Sequence, residues 1–315
     1  MTTRPTTLTA IVGQTKAREQ LRITIAGAEV RGTDPPHVLL TGPAGYGKTT
    51  LAGIVAHTRD GKLHTLSGPS TTKPKDIVGV LMTLEDGDVV FIDEVHRVGK
   101  TVQETLYEAM EDRKISMTLG SGNGAKAATF DLAHFVLIGA TTDAGKLTGP
   151  FRDRFGLKVN LEPYSVYELQ AIVLRHWTLD VAQGWNGERA ALEVARRSKG
   201  VPRVALHLAD RVLDYQAVTG DDGSVTPGLV TEALTAFGIG PEGLNEVDLR
   251  YLSTLVNTFG CRPTGIDALA STMDVAKDTL VAEHEGNLIR SGYLIRSGQG
   301  RQVTPEGIAL VRGRA

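Results

Sequence analysis

The sequence predicts an α/β protein with an open, largely parallel sheet, followed by a helical segment and a small C-terminal winged-helix module. Three observations predict it. Apolar runs at 37–40, 88–92 and 135–138 alternate with amphipathic stretches, the pattern of buried parallel strands joined by helices. Between the first run and a helical run lies Gly42-Pro43-Ala44-Gly45-Tyr46-Gly47-Lys48-Thr49-Thr50, with P-loop spacing: glycine, four residues, then glycine-lysine-threonine. Residues 246–291 read as three helices, and 293–304 as a short hairpin turning at Ser297-Gly298-Gln299-Gly300.

Composition bounds the function. The 315 residues are enough for two or three domains. The 34 Lys and Arg nearly balance the 36 Asp and Glu, so bulk charge predicts no polyanion partner, and any nucleic-acid site must be local. Cys261, the single cysteine, excludes a disulfide within the chain and fits a reducing compartment, the cytoplasm. No stretch approaches a transmembrane span and no apolar signal core opens the chain, so no membrane association is expected.

In chain order, residues 1–15 carry Arg4-Pro5 and an apolar turn, either packed on the main domain or frayed. Residues 16–30 form an amphipathic helix, and Pro35-Pro36 punctuates before the first strand. In the P-loop, Gly45 and Gly47 let backbone N–H groups turn inward around a phosphate, and the helix start adds partial positive charge. Lys48 is placed to reach the β- and γ-phosphates of ATP, Thr49 to bind Mg²⁺, and Thr50 closes the nucleotide-contacting motif.

Residues 64–68 read as a second strand and 77–84 as a helix. The strand over 88–94 ends in Asp93 and Glu94, and strand carboxyl ends are where open α/β sheets bind ligands. Asp93 is expected in the Mg²⁺ shell and Glu94 as general base for the attacking water. A helix over 101–112 and a hairpin over 115–137 follow. Met117 and Leu119 share one face of that hairpin by strand alternation, either a docking face or one folded onto the core. The strand over 135–138 leads to Thr142, where a polar residue would face the γ-phosphate or the lytic water. Arg152-Asp153-Arg154 reads as a surface salt-bridge cluster or as an arginine finger.

Helical periodicity covers 165–237 in three segments, 167–176, 188–197 and 204–218. Arg203 follows Pro202 at a helix start, where a cation opposes the helix dipole unless an anion lies nearby. Residues 238–243 form a linker. Arg296 and Arg301 bracket the wing tip, placed for DNA phosphates, although a wing also serves as a protein-contact module.

These motifs, in this order, resemble the RuvB family of AAA+ ATPases, motors of the bacterial Holliday-junction branch-migration complex. The resemblance runs nearly the whole chain and is carried by residues 37–50, Ser67-Gly68-Pro69, 87–97, 137–142 with Leu147-Thr148, 152–156, 200–205 and 243–259. It implies a large AAA+ domain over 1–162, a helical lid over 163–237 and a winged-helix domain over 238–315. It implies sensor 1 at Thr142, a finger at Arg154 supplied to a neighbouring subunit, and sensor 2 at Arg203. Nucleotide contacts are implied at Arg4, Glu111, Asp112 and Tyr164, and DNA contacts at Arg296 and Arg301. The partners implied are double-stranded DNA at four-way junctions, a RuvA-like adaptor on the 115–137 hairpin, and further copies in a homo-oligomeric ring, a hexamer. The chain departs from the family at Ala44-Gly45-Tyr46, Arg113, Asp143, Gly286-Asn287 and Gln299.

The function expected is an ATP-driven translocase acting in recombination and repair. The alternatives are a clamp-loader-like or replication-loading ATPase and a nucleotide-gated DNA-binding regulator. Glu94 together with Arg154 argues against the last, since a switch has no need of a full hydrolytic set.

Overall fold

The structure is a computed structural model that describes residues 5–119, 126–177, 184–219 and 225–314. The backbone divides into two compact units, Met1–Glu168 and Leu169–Ala315.

In the first unit, α1 (Thr15–Arg31) precedes β1 (Val38–Thr41), and the P-loop leads into α2 (Lys48–Thr58). Then come β2 (Leu63–Ser67), α3 (Pro74–Leu81), β3 (Val89–Asp93) and α4 (Lys100–Glu111). A hairpin, β4 (Lys114–Leu119) and β5 (Lys126–Asp131), precedes β6 (Val136–Thr141), α5 (Gly149–Asp153) and β7 (Leu157–Asn160). The five-stranded sheet runs β2-β3-β6-β1-β7 with every pairing parallel, so all five carboxyl ends open on one edge. The central strands are apolar throughout because both faces are covered: Val89 to Ile92 and Val136 to Ile138 are fully buried. Leu106, Phe135, Phe151 and Phe155 complete this core.

The expected hairpin over 115–137 is shorter than the sequence suggests. It closes at Asp131, and Val136–Thr141 is an inner strand of the main sheet. Both stretches alternate or run apolar, and only the parallel pairing with β1 and β3 separates them. The helix expected over 77–84 begins at Pro74, where proline suits a first turn, and ends at Leu81.

The division falls within α6 (Val166–His176), and the second unit then holds α7 (Gly184–Arg196), α8 (Pro202–Thr219) and α9 (Pro227–Ala236). The sequence reading missed α9 as a separate element, although Thr226 caps it by accepting from the Leu229 N–H at 3.2 Å. The winged helix follows: α10 (Glu246–Ser253), a π-helical stretch (Thr254–Thr258) and α11 (Ile266–Met273). Next come α12 (Lys277–Thr279), a second π-helical stretch (Leu280–Glu285) and α13 (Gly286–Arg290) as one continuous run. The wing is β8 (Leu294–Ser297) against β9 (Gly300–Val303), and Thr264 makes a separate antiparallel bridge to Arg301. A terminal helix, α14 (Pro305–Arg312), was also missed, because Pro305-Glu306-Gly307 looks like a turn; Thr304 caps it at the Gly307 N–H. Tyr251, Leu252, Leu255, Leu269, Leu280 and Leu288 form this module's buried core.

Candidate functional site

The carboxyl edge of the sheet gathers the chemistry of the first unit. β1 delivers the P-loop, β3 delivers Asp93 and Glu94, and β6, paired with both, delivers Thr141 and Thr142. Parallel pairing forces this, because strands that run the same way end on the same side.

Gly45 and Gly47 have φ of 82° and 92°, in the left-handed region that favours glycine. Lys48 is buried, and its Nζ donates to the carbonyls of Gly42 (2.7 Å) and Pro43 (2.9 Å). Thr49 and Thr50 lie half-buried in the first turn of α2, which Leu51, Ile54 and Val55 anchor beneath the sheet. Tyr46 is fully buried, and its ring meets Tyr164 edge-on at 6.3 Å. The Tyr164 hydroxyl donates to the Tyr46 carbonyl at 3.4 Å. Burial pushes the Tyr164 phenol up to about 12, which keeps it a neutral donor. Tyr164, expected at the nucleotide, thus touches the P-loop backbone, and the departure at Tyr46 is its aromatic partner.

At the ends of β3 and β6, Thr142 Oγ1 donates to Glu94 Oε2 at 3.1 Å. His96 Nδ1 lies 3.2 Å from the same oxygen and 2.8 Å from Thr141 Oγ1. The Glu94 N–H donates to Asp93 Oδ1 at 3.0 Å. Glu94 itself has left-handed backbone, φ 50° and ψ 46°, which turns its side chain off the strand line. His96 escaped the sequence reading, although its place two residues after the paired acids was a signal. Asp143, the departure beside Thr142, pairs with Lys146 at 3.3 Å, so its charge is matched locally.

Two oxygen groups, the Thr49 hydroxyl and the Asp93 carboxylate, are the candidate protein ligands for Mg²⁺. Few protein ligands suit Mg²⁺, which fills its octahedron with water and substrate phosphate. Among the described residues no cluster of three or more His, Cys, Asp or Glu forms a separate metal cage.

Arg154 stands between Phe151 and Phe155, buried rings stacked edge-on at 5.3 Å, and is itself exposed. Its guanidinium pairs with Glu111 Oε2 at 2.7 Å and lies over the Tyr107 ring at 5.3 Å. Asp153 pairs with Lys158, so the sequence cluster Arg152-Asp153-Arg154 is not one salt bridge. Glu111 and Asp112 are exposed at the end of α4. Arg113, which follows with φ 51°, reaches back to Asp34, which also pairs with His134 and Arg59.

In the second unit, Arg203 is exposed in the first turn of α8. On the wing the two arginines differ. Arg296 is exposed. Arg301, expected to stand beside it as a second phosphate contact, turns inward and donates to the buried Glu285 through Nε (2.7 Å) and Nη2 (3.2 Å). The Tyr251 hydroxyl donates to the same carboxylate at 3.0 Å. On the hairpin, Ile115 is buried, and Met117 is half-buried against the same core cluster. The Leu119 side chain and all of Arg4 lie outside the described residues.

Three consecutive stretches match known families: 3–161 the Holliday junction DNA helicase RuvB P-loop domain, 164–240 the RuvB AAA lid domain, and 241–312 the RuvB C-terminal winged helix domain. The chain is 43% identical over 302 residues to the Holliday junction branch migration complex subunit RuvB of Parafrankia sp. (strain EAN1pec), covering 96% of this chain and 85% of that one. It superposes on the Thermotoga maritima RuvB Holliday junction branch migration motor with TM-score 0.85 at 37% identity, covering 98% of each chain. The Aeropyrum pernix ORC2 protein shares the fold, with TM-score 0.56, 15% identity, and 95% and 93% of the two chains covered.

Proposed function

The chain belongs to the RuvB family, and from that premise we propose the following reading of its site and its assembly. The chain is an ATP-hydrolysing DNA motor that drives Holliday-junction branch migration in recombination and repair. The observation that carries this is the succession of RuvB-type P-loop domain, lid and winged helix along one chain. The same succession sets the clamp-loader-like, replication-loading and regulator readings aside, since the likeness to ORC2 is one of fold alone.

In this reading the P-loop N–H groups and Lys48 hold the β- and γ-phosphates of ATP, while Tyr164 braces the loop from behind. Thr49 and Asp93 hold Mg²⁺, which when bound neutralises charge on the phosphates. Glu94 takes the proton of the attacking water, and Thr142 fixes which way its carboxylate points. Arg154, exposed on its aromatic footing, is free to exchange Glu111 for the γ-phosphoryl group of a neighbouring copy. Glu111 and Asp112 flank that interface, and Arg4 and Arg203 complete the nucleotide contacts. Arg296 meets the DNA backbone.

The assembly is a homo-oligomeric ring, a hexamer, loaded on four-way junctions by a RuvA-like adaptor that docks on the hairpin through Met117 and Leu119. Domain boundaries fall at 1–162, 163–237 and 238–315. No helix among the described residues is long and apolar enough to cross a membrane, and we place the motor in the cytoplasm.

The test is ATP-dependent conversion of a synthetic four-way junction to branch-migrated duplexes, followed by gel, with and without an adaptor, and with Lys48→Ala as control. Conversion that needs ATP and is lost in Lys48→Ala is expected. ATP hydrolysis with no junction conversion, adaptor present, would overturn the reading.

A further inference from the structure

Two consecutive residues of the winged helix hold opposite ends of the second unit. His284 and Glu285 close the π-helical stretch Leu280–Glu285, and both are buried. His284 Nδ1 lies 2.7 Å from Oδ1 of Asp248, which is fully buried at the start of α10. The other oxygen of Asp248 accepts from Lys199 Nζ at 2.7 Å. Lys199 belongs to the lid, in the turn that leads through Gly200 and Pro202 to Arg203. Glu285, one residue on, holds Arg301 of the wing by two bonds and lies 3.7 Å from Arg296. Charge-assisted bonds on two consecutive buried residues, His284 and Glu285, therefore tie the Arg203 turn to the wing.

The backbone closes the same joint. Lys199 has left-handed φ, 59°, which aims its side chain at α10. Gly243 has φ 73°, and a Cβ there would come within 2.4 Å of the Arg197 carbonyl. Winged-helix backbone thus touches lid backbone with no side chain between, two residues before the Lys199 bridge. Arg197 and Ser198, the lid residues at this contact, are buried. Breaking the Lys199–Asp248 pair would take from a fully buried carboxylate its lysine partner and leave it His284 and the Asn245 N–H, a cost that opposes slippage at the joint.

We propose that Lys199 and Asp248 are positioning residues that transmit the nucleotide state of the lid, through His284 and Glu285, to the wing and its grip on DNA. The proposal rests on the reading of Arg203 as a nucleotide contact and of the wing as a DNA contact. Neither Lys199 nor Asp248 touches nucleotide or DNA in that reading; they act by holding the Arg203 turn and the wing in one frame. Coupling between two ligands is reciprocal. The ratio of junction affinity with a non-hydrolysable ATP analogue to that with ADP must therefore equal the ratio of the two nucleotides' affinity enhancements by DNA.

The experiment measures that ratio by equilibrium binding of a fluorescent four-way junction to the full chain, with the ATP analogue or ADP. The variants are Lys199→Met and the double variant Lys199→Met with Asp248→Asn, in which no unpaired charge is left and the cap oxygen of α10 is kept. The wild type is expected to show a ratio in the range usual for coupled sites, about 5- to 150-fold. In the variants the ratio falls toward one, while basal ATPase and nucleotide affinity stay at wild-type level. A folded variant that keeps the wild-type ratio overturns the proposal. If Lys199→Met fails to fold, the double variant decides. A wild type with a ratio of one would instead sink the premise that Arg203 and the wing are linked nucleotide and DNA contacts.

Discussion

Thr142 and Glu94 are joined by a 3.1 Å hydrogen bond between the ends of two adjacent parallel strands. The threonine hydroxyl is the donor, so it fixes one carboxylate oxygen, and in the proposed mechanism the other accepts the proton of the attacking water. The pair separates two roles that a single substitution would confuse.

Glu94→Gln should bind ATP with near-native affinity yet hydrolyse it slower by about 10²–10⁴, the usual worth of a positioned base. Thr142→Val should also keep affinity but lose less turnover, because the base remains and only its aim is relaxed. Equilibrium nucleotide binding and steady-state phosphate release check both. Normal turnover in Glu94→Gln would remove Glu94 from the role of base.

Arg154→Ala should keep nucleotide affinity and lose turnover by roughly 10³–10⁵ if the guanidinium acts on a neighbour's γ-phosphate. Mixing it with Lys48→Ala should restore part of the activity, since some interfaces then pair an intact P-loop with an intact arginine. Mixed assemblies that form but stay inactive would argue that Arg154 serves only its own chain, through Glu111 and Tyr107.

Arg296→Ala and Arg301→Ala should part company. The first removes an exposed cation and should lower the salt slope of DNA binding by roughly one unit, with stability unchanged. The second strips Glu285 of its bidentate partner and should destabilise the winged helix by about 3–5 kcal/mol, read as a lowered urea midpoint. Equal effects on the salt slope at unchanged stability would mean that Arg301 leaves Glu285 to meet phosphate.

That split shows where the sequence was legible. The P-loop, the acids after β3 and the polar end of β6 follow from short-range spacing, and the parallel sheet has one way to bring them together. Arg301 and Arg296 look alike in sequence, five residues apart across a turn. Only the placement of Glu285, sixteen residues upstream on a helix, tells them apart. His96 had only its nearness to the paired acids to mark it, because its partner Thr141 lies on another strand. The winged helix was recognisable from three apolar helical runs, while α9 and α14, each opened by a Thr-Pro start, went unread although that pair is a helix-start signal.

On the hairpin, Met117 is partly committed to the core and Leu119 lies further toward the turn. If the adaptor docks on the hairpin as proposed, Leu119→Asp should abolish adaptor-stimulated branch migration while ATP binding persists. Met117→Asp should lower the midpoint as well. Pull-down with the adaptor, nucleotide titration and a thermal melt separate the outcomes. Full adaptor stimulation in Leu119→Asp would place the docking surface elsewhere.

The left-handed backbone at Glu94 sets speed against durability. A side chain with a Cβ held there costs about 1–2 kcal/mol relative to glycine, and the fold carries that load at the residue proposed as general base. Improvement for heat resistance alone would therefore find glycine or asparagine at 94 early and be rewarded for it. Its product would be a hardier protein that loads nucleotide and never spends it. Any programme to toughen this motor has to score turnover at every round, because one of its left-handed non-glycine positions is also the proposed base.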